Sequence, residues 1–127
     1  MMRQVPRGLL LLLLLATVGC SPKVRELARV ASPDNTVEAV MAIKETDATV
    51  ATPTEVYLVG RGQSLPSDPV FRADHVDGLS VHWTSARHLV VHASNARVFL
   101  RQGTMAVPSQ AGASQVLIEY RVDHEAP

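Results

Sequence analysis

Five histidines are the residues of this chain best suited to chemistry, and their spacing decides which chemistry is open to them. His82 alternates with Val81 and Trp83 in one apolar run, and His92 follows Val91 and precedes Ala93 in the next. Pairing Trp83 with Leu89, Val81 with Val91 and Leu79 with Ala93 brings the apolar sides of the two runs together, whereas a slip of one residue would set Trp83 against His88 and Leu79 against His92. In the favoured register His82 and His92 are diagonal neighbours on the outward face, with Cβ atoms about 7 Å apart. Together with His75, which stands beside Asp74 and Asp77, they are the metal candidates of the sequence. Zinc asks for three or four convergent ligands and a tighter spacing than this, so solvated histidines on a sheet face are the plainer reading and no metal site is assigned. The same region is where an enzyme would have to work, with His75, Asp74 or His82 moving a proton in a pocket between loops.

Other chemical motifs fail on context. Val56-Tyr57-Leu58-Val59-Gly60-Arg61-Gly62 looks like a strand entering a dinucleotide-binding loop, but Leu65 stands at the third glycine position and Pro66 follows it. No helix N-terminus is then available to receive a pyrophosphate, and a hairpin or loop fits better. No serine sits in a Gly-x-Ser-x-Gly arrangement. His124-Glu125 lacks the second histidine of a metalloprotease helix and lies at the C-terminus, where chains commonly fray. The sequence therefore assigns no catalytic residue and no cofactor.

Cys20 is the exception, because its surroundings form an address. Arg3 and Arg7 precede an uncharged stretch from Gly8 to Gly19 that holds seven consecutive leucines, Leu9 to Leu15. This is a basic segment followed by a short apolar one, the pattern of a secretion signal. Twelve uncharged residues fall well short of the roughly 20 that cross a bilayer as a helix. Cys20 is also the only cysteine, so it has no disulfide partner within the chain.

Ala16-Thr17-Val18-Gly19-Cys20 resembles the lipobox of bacterial lipoproteins. The resemblance implies cleavage after Gly19, diacylglycerol on the Cys20 thiol and acyl chains in a membrane, which hold a protein there without crossing it. Ser21 in place of an aspartate implies transport to the outer membrane of a Gram-negative cell, facing the periplasm. Residues 1–19 are then the signal peptide, 20–23 the lipidated cysteine and tether, and 24–127 a single domain. If the fold starts at Val24, the tether of Ser21 to Lys23 spans about 10 Å when extended. Further along, Ser32-Pro33-Asp34-Asn35 resembles the turns of propeller blades, although no second copy recurs at a blade period. With His75-Val76-Asp77-Gly78-Leu79 and Trp83-Thr84-Ser85, that turn is similar to small bacterial envelope lipoproteins of uncharacterised function.

The elements that carry these residues read as short strands. Val24 to Val30 fits a strand or a short helix. Pro33 presets φ and Asn35 tolerates a left-handed conformation, so a turn leads into a strand over Val37 to Lys44. Glu55 to Val59, Val70 to Asp74, Leu79 to Trp83, Leu89 to Ala93, Arg97 to Leu100 and Val116 to Val122 follow, with a five-residue loop from Thr84 to His88. Val116, Ile118, Tyr120 and Val122 share one face. Two long segments remain: Gly60 to Pro69, and Gln102 to Gln115, which reads as a loop that is disordered or a contact surface. The five aromatic residues fall in different strands and suggest one shared core. The fold class expected is mainly β, a small antiparallel sheet forming a sandwich or a partly open barrel.

The chain has 127 residues and no formal net charge; without residues 1–19 it keeps ten basic against twelve acidic residues, a net charge of −2. That size supports one core and rules out large multidomain catalysis. The charge argues against a nucleic-acid partner. What remains is a membrane-anchored envelope protein that binds or supports another envelope protein, with the two long loops as its recognition elements. A small periplasmic enzyme, or a metal or ligand binder using His75, His82 and His92, is the alternative.

Overall fold

The computed structural model describes residues 23–45, 51–110 and 112–127. The signal segment and Cys20 lie outside the described residues. All regular structure described is strand: β1 (Val24–Ala31), β2 (Val37–Lys44), β3 (Thr54–Gly60), β4 (Phe71–Asp77), β5 (Ser80–Ser85), β6 (His88–Arg101), β7 (Thr104–Ser109) and β8 (Gly112–Glu125). They form one open sheet in the order β1-β2-β3-β4-β6-β8-β7, with β5 paired to β6 beside β4, and the sheet does not close into a barrel. Every pairing is antiparallel except β6 with β8, which is parallel.

The first hairpin forms where its turn chemistry puts it. Asn35 has φ 57°, Asn35 N–H donates to Ser32 O at 2.8 Å, and Ser32 N–H donates to Val37 O at 2.8 Å. β1 is a strand throughout, and a bulge at Leu27 separates Glu26 opposite Ala42 from Ala28 opposite Met41. Bulge and charges together blunt this edge against pairing with another chain.

Alternation then selects two faces. Val37 and Ala39 of β2, Val56 and Leu58 of β3, Phe71 and Ala73, Leu89, Val91 and Ala93, and Val116 and Ile118 enter the main core. The sheet curls about the 14-residue β6 so that distant strands share this core. Two ties hold the curl: Trp83 Nε1 donates to Val30 O at 2.9 Å, and the Tyr120 hydroxyl lies 2.9 Å from Val70 O and 2.7 Å from Gln102 O. On the other face of β2 and β3, Val40, Ala42, Tyr57 and Val59 form a second cluster under Leu65. The segment after Gly60 is therefore a cover as well as a loop.

The hairpin register expected from the sequence is present, with Val81 opposite Val91 and Trp83 opposite Leu89. Its loop is shorter than five residues, because a bulge at Thr84 lets Ser85 pair with His88. The runs 89–93 and 97–100 are one strand, β6, whose pairing with β4 shifts register twice. At one shift Phe99 is the extra residue between Leu100 and Val98, so it is 56% exposed and does not join the core; Tyr57 belongs to the second cluster. Gln102 to Gln115 is no long loop: Thr104–Ser109 pairs with the start of β8, and Gly112 at φ 99° makes the turn. Neither does the C-terminus fray, since Asn95 and Ala96 pair with His124 and Glu125.

Gly78 joins β4 to β5 with φ 64°, and a Cβ there would lie 2.6 Å from Ser94 Oγ. Gly62 has φ 72° but open space around it. Gly78→Ala should therefore cost about 2 kcal/mol and Gly62→Ala about 1 kcal/mol in urea unfolding, the difference reporting the clash. Equal costs would show that Ser94 yields freely.

Candidate functional site

Three turns that need left-handed backbone meet around one polar hollow. Asn35 ends the β1–β2 turn, Gly62 follows β3, and Gly112 closes the β7–β8 hairpin. The hollow, about 490 Å³, is lined by Asn35, Thr36, Arg61, Gly62, Gln63, Ser109 and Gln110. It brings together the start of one segment singled out in the sequence, 60–69, and the middle of the other, 102–115. Gly60 allows the approach, because a Cβ there would lie 2.7 Å from Pro108 O.

The rim is held rather than loose. Gly62 N–H donates to Glu38 Oε1 at 2.6 Å, Arg29 Nη1 donates to Gln63 O at 3.0 Å, and Arg61 N–H donates to Thr36 O at 3.1 Å. Asp34 accepts from the Ser32 and Thr36 hydroxyls at 2.7 and 2.8 Å, and Arg87 lies 3.1 Å from its other oxygen. The side-chain amides of Asn35, Gln63 and Gln110 and the Arg61 guanidinium on a fixed rim can grip backbone or carboxylate groups of a partner. The lining described is made of amide, hydroxyl and guanidinium groups, which suit it to binding polar groups.

A second polar feature is built at the opposite end of β3. Glu55 is fully buried; its Oε2 accepts from Arg72 Nε at 3.0 Å and Nη2 at 2.9 Å, while Oε1 has no hydrogen-bond partner. Tyr57, two residues on along the same face, has its hydroxyl pushed up to about 12 by burial and by the Glu55 charge. Val24, Lys44, Leu65, Pro66 and Ser67 complete a hollow of about 320 Å³ here. This pair is not among the candidates that the sequence offers. The signal was a glutamate opening the apolar run 55–59, with Arg72 placed to face it across β4.

The histidines do not converge. His82 is exposed on β5, across from Val90, and His92 Nε2 lies 3.1 Å from Asp123 Oδ2 on β8. His75 sits in a β4 irregularity with φ 51°, its Nδ1 3.0 Å from Asp74 Oδ1. Asp74 is buried and bound by Arg97 through Nε at 2.8 Å and through Nη2. That leaves it an ion-pair partner rather than a free base. Among the described residues no group of three or more histidine, cysteine, aspartate or glutamate side chains is placed to hold a metal ion.

Two carboxylates give the acid dependence a sign. The Ser32 and Thr36 hydroxyls hold Asp34 down to about 2, and Arg97 with His75 holds Asp74 down to about 2, against an ordinary value of 3.8. Because the folded values are lowered, the stability these groups add is complete above 3.8 and is lost as pH falls through about 2. Urea midpoints should hold level down to about pH 4 and then decline, and Asp34→Asn should flatten the decline. An unchanged slope in that variant would contradict the assignment.

Comparison of the chain with family models, with curated proteins and with solved structures finds no match.

Proposed function

We propose that this protein is a lipid-anchored lipoprotein of the bacterial envelope whose β domain serves as a binding or structural module for another envelope protein. The observation that carries the reading is the order Arg3 and Arg7, Leu9 to Leu15, and Ala16-Thr17-Val18-Gly19-Cys20, with Cys20 the only cysteine. A thiol with no disulfide partner in an oxidising compartment is accounted for by a thioether to diacylglycerol. Several acyl chains, at about 0.8 kcal/mol per buried CH₂, retain a protein on a membrane. Ser21 favours the outer membrane, facing the periplasm.

Recognition falls to the fixed polar rim of Asn35, Arg61, Gln63, Ser109 and Gln110, since loops on a rigid β scaffold carry binding. The test is crosslinking in intact cells that express the tagged full chain, followed by detergent purification and mass spectrometry, with the Cys20→Ala chain as control. One abundant partner that depends on Cys20 is expected, and Arg61→Glu should reduce its yield without lowering the level of folded protein. A partner indifferent to Arg61 would remove the rim from the account, and no partner above control would contradict the interaction role.

A further inference from the structure

We propose that the beginning of β1 is a phospholipid-contact surface, so that the domain rests on the bilayer by this end and carries its polar rim at the other. The inference rests on the lipid-anchor reading of Cys20 and assigns an orientation to it. Val24 is 38% exposed and Leu27 51% exposed, and they are two of the four exposed large apolar side chains among the described residues. The other two, Phe99 and Leu117, lie on β6 and β8, separated from β1 in the sheet by β2, β3 and β4. Leu27 is the bulged residue of β1 and has no partner on β2, so nothing in the fold requires an apolar side chain there.

Two lysines stand beside Val24, and the nearby carboxylates of Glu26 and Glu45 are taken up by arginines. Lys23 O accepts from Glu45 N–H at 2.8 Å, which sets Lys23 beside the end of β2, and Val24 pairs with Lys44. Arg25 lies 3.7 Å from Glu45, and Glu26 is taken up by Arg29 at 2.6 Å. Among the described residues Lys23 and Lys44 make no ion pair; Lys44 borders the hollow at Glu55, and both are placed to meet anionic headgroups, which attract basic side chains near the surface of a bilayer. Two apolar residues and a few cations bind a membrane weakly alone; next to an acyl anchor the contact becomes intramolecular and its effective concentration is high.

Chain length fixes the rest. With Cys20 in the lipid, Ser21 to Lys23 allow about 10 Å between anchor and strand, so the start of β1 has little choice of neighbour. Eight residues of β1 then span about 25 Å, and Asn35 lies just past the far end. The hollow around Arg61 and Gln110 accordingly faces away from the lipid, open to a partner.

The experiment uses the full chain purified from membranes of cells that lipidate it, returned to vesicles of phosphatidylethanolamine and phosphatidylglycerol. Nitroxide labels at Leu27→Cys and, separately, Val24→Cys and Arg61→Cys are relaxed by membrane-soluble oxygen and by a water-soluble nickel chelate. Expected are labels at 24 and 27 several-fold less accessible to nickel than the label at 61, and more accessible to oxygen. Equal nickel accessibility at 24, 27 and 61, with diacylglycerol confirmed on Cys20 by mass spectrometry, overturns the orientation and leaves the anchor intact. A chain that carries no lipid on Cys20 overturns both.

Discussion

Replacing Phe71 by alanine should lower the unfolding free energy by about 3–5 kcal/mol, the cost of emptying a fully packed aromatic site. Phe71 is the largest fully buried side chain and stacks on Tyr120 with ring centroids 5.7 Å apart and an interplanar angle of 22°. It enters the core from β4, whereas Tyr120 comes from β8, and their contact spans the curl of the sheet. The loss should therefore exceed that of a Leu→Ala change at the periphery and depress Tm by about 15–25 °C in a domain of this size. Calorimetry checks it. A loss near 1 kcal/mol would mean that β4 and β8 are held by something other than this pair.

The second large effect is expected at Arg72. Glu55 has no solvent and one cation, so Arg72→Met leaves a buried carboxylate without its partner and should cost about 3 kcal/mol. Lys44 lines the same hollow and can recover part of the loss, which keeps the figure at the low end of the range for broken buried pairs. The double change Arg72→Met with Glu55→Leu should regain most of the stability, because both polar groups leave together. A double variant no more stable than Arg72→Met would show that Glu55 is held by a network beyond Arg72. Unfolding in guanidinium chloride across the full cycle separates these outcomes.

What the sequence made legible, and what it did not, divides along physical lines. The turn at Pro33 and Asn35 made β2 readable to the residue, and alternation did the same for the 79–93 hairpin, whose apolar side a one-residue slip would have exposed. Bulges were not. Each inserts a residue that no alternation announces, and Phe99 left the core because of one. β7 was hidden by its composition, Thr-Met-Ala-Val-Pro-Ser, in which only Val107 is buried; its pairing with β8 defines it as a strand. The parallel contact of β6 with β8 depends on how the sheet curls, which no local pattern encodes.

The candidate site divided similarly. Glycines and prolines marked segments 60–69 and 102–115 as the places where recognition would reside, and the structure brings residues of both to one hollow with the turn at Asn35. Their meeting is tertiary, as is the pairing of Glu55 with Arg72 across β3 and β4. The histidines illustrate the reverse case: His82 and His92 occupy the same outer face as the alternation required, yet His92 meets Asp123 of a strand whose position was unknown until the fold was.

The lipid proposed on Cys20 is the feature that would hold this chain on a membrane. It is tested most directly by expressing the full chain and Cys20→Ala in a Gram-negative host supplied with labelled palmitate, then separating membranes from soluble periplasm. Expected are label on the wild-type chain, recovery of that chain in the outer-membrane fraction, and an unlabelled, soluble alanine variant. An alanine variant that stays with the membrane, or a wild-type chain without label, would contradict it.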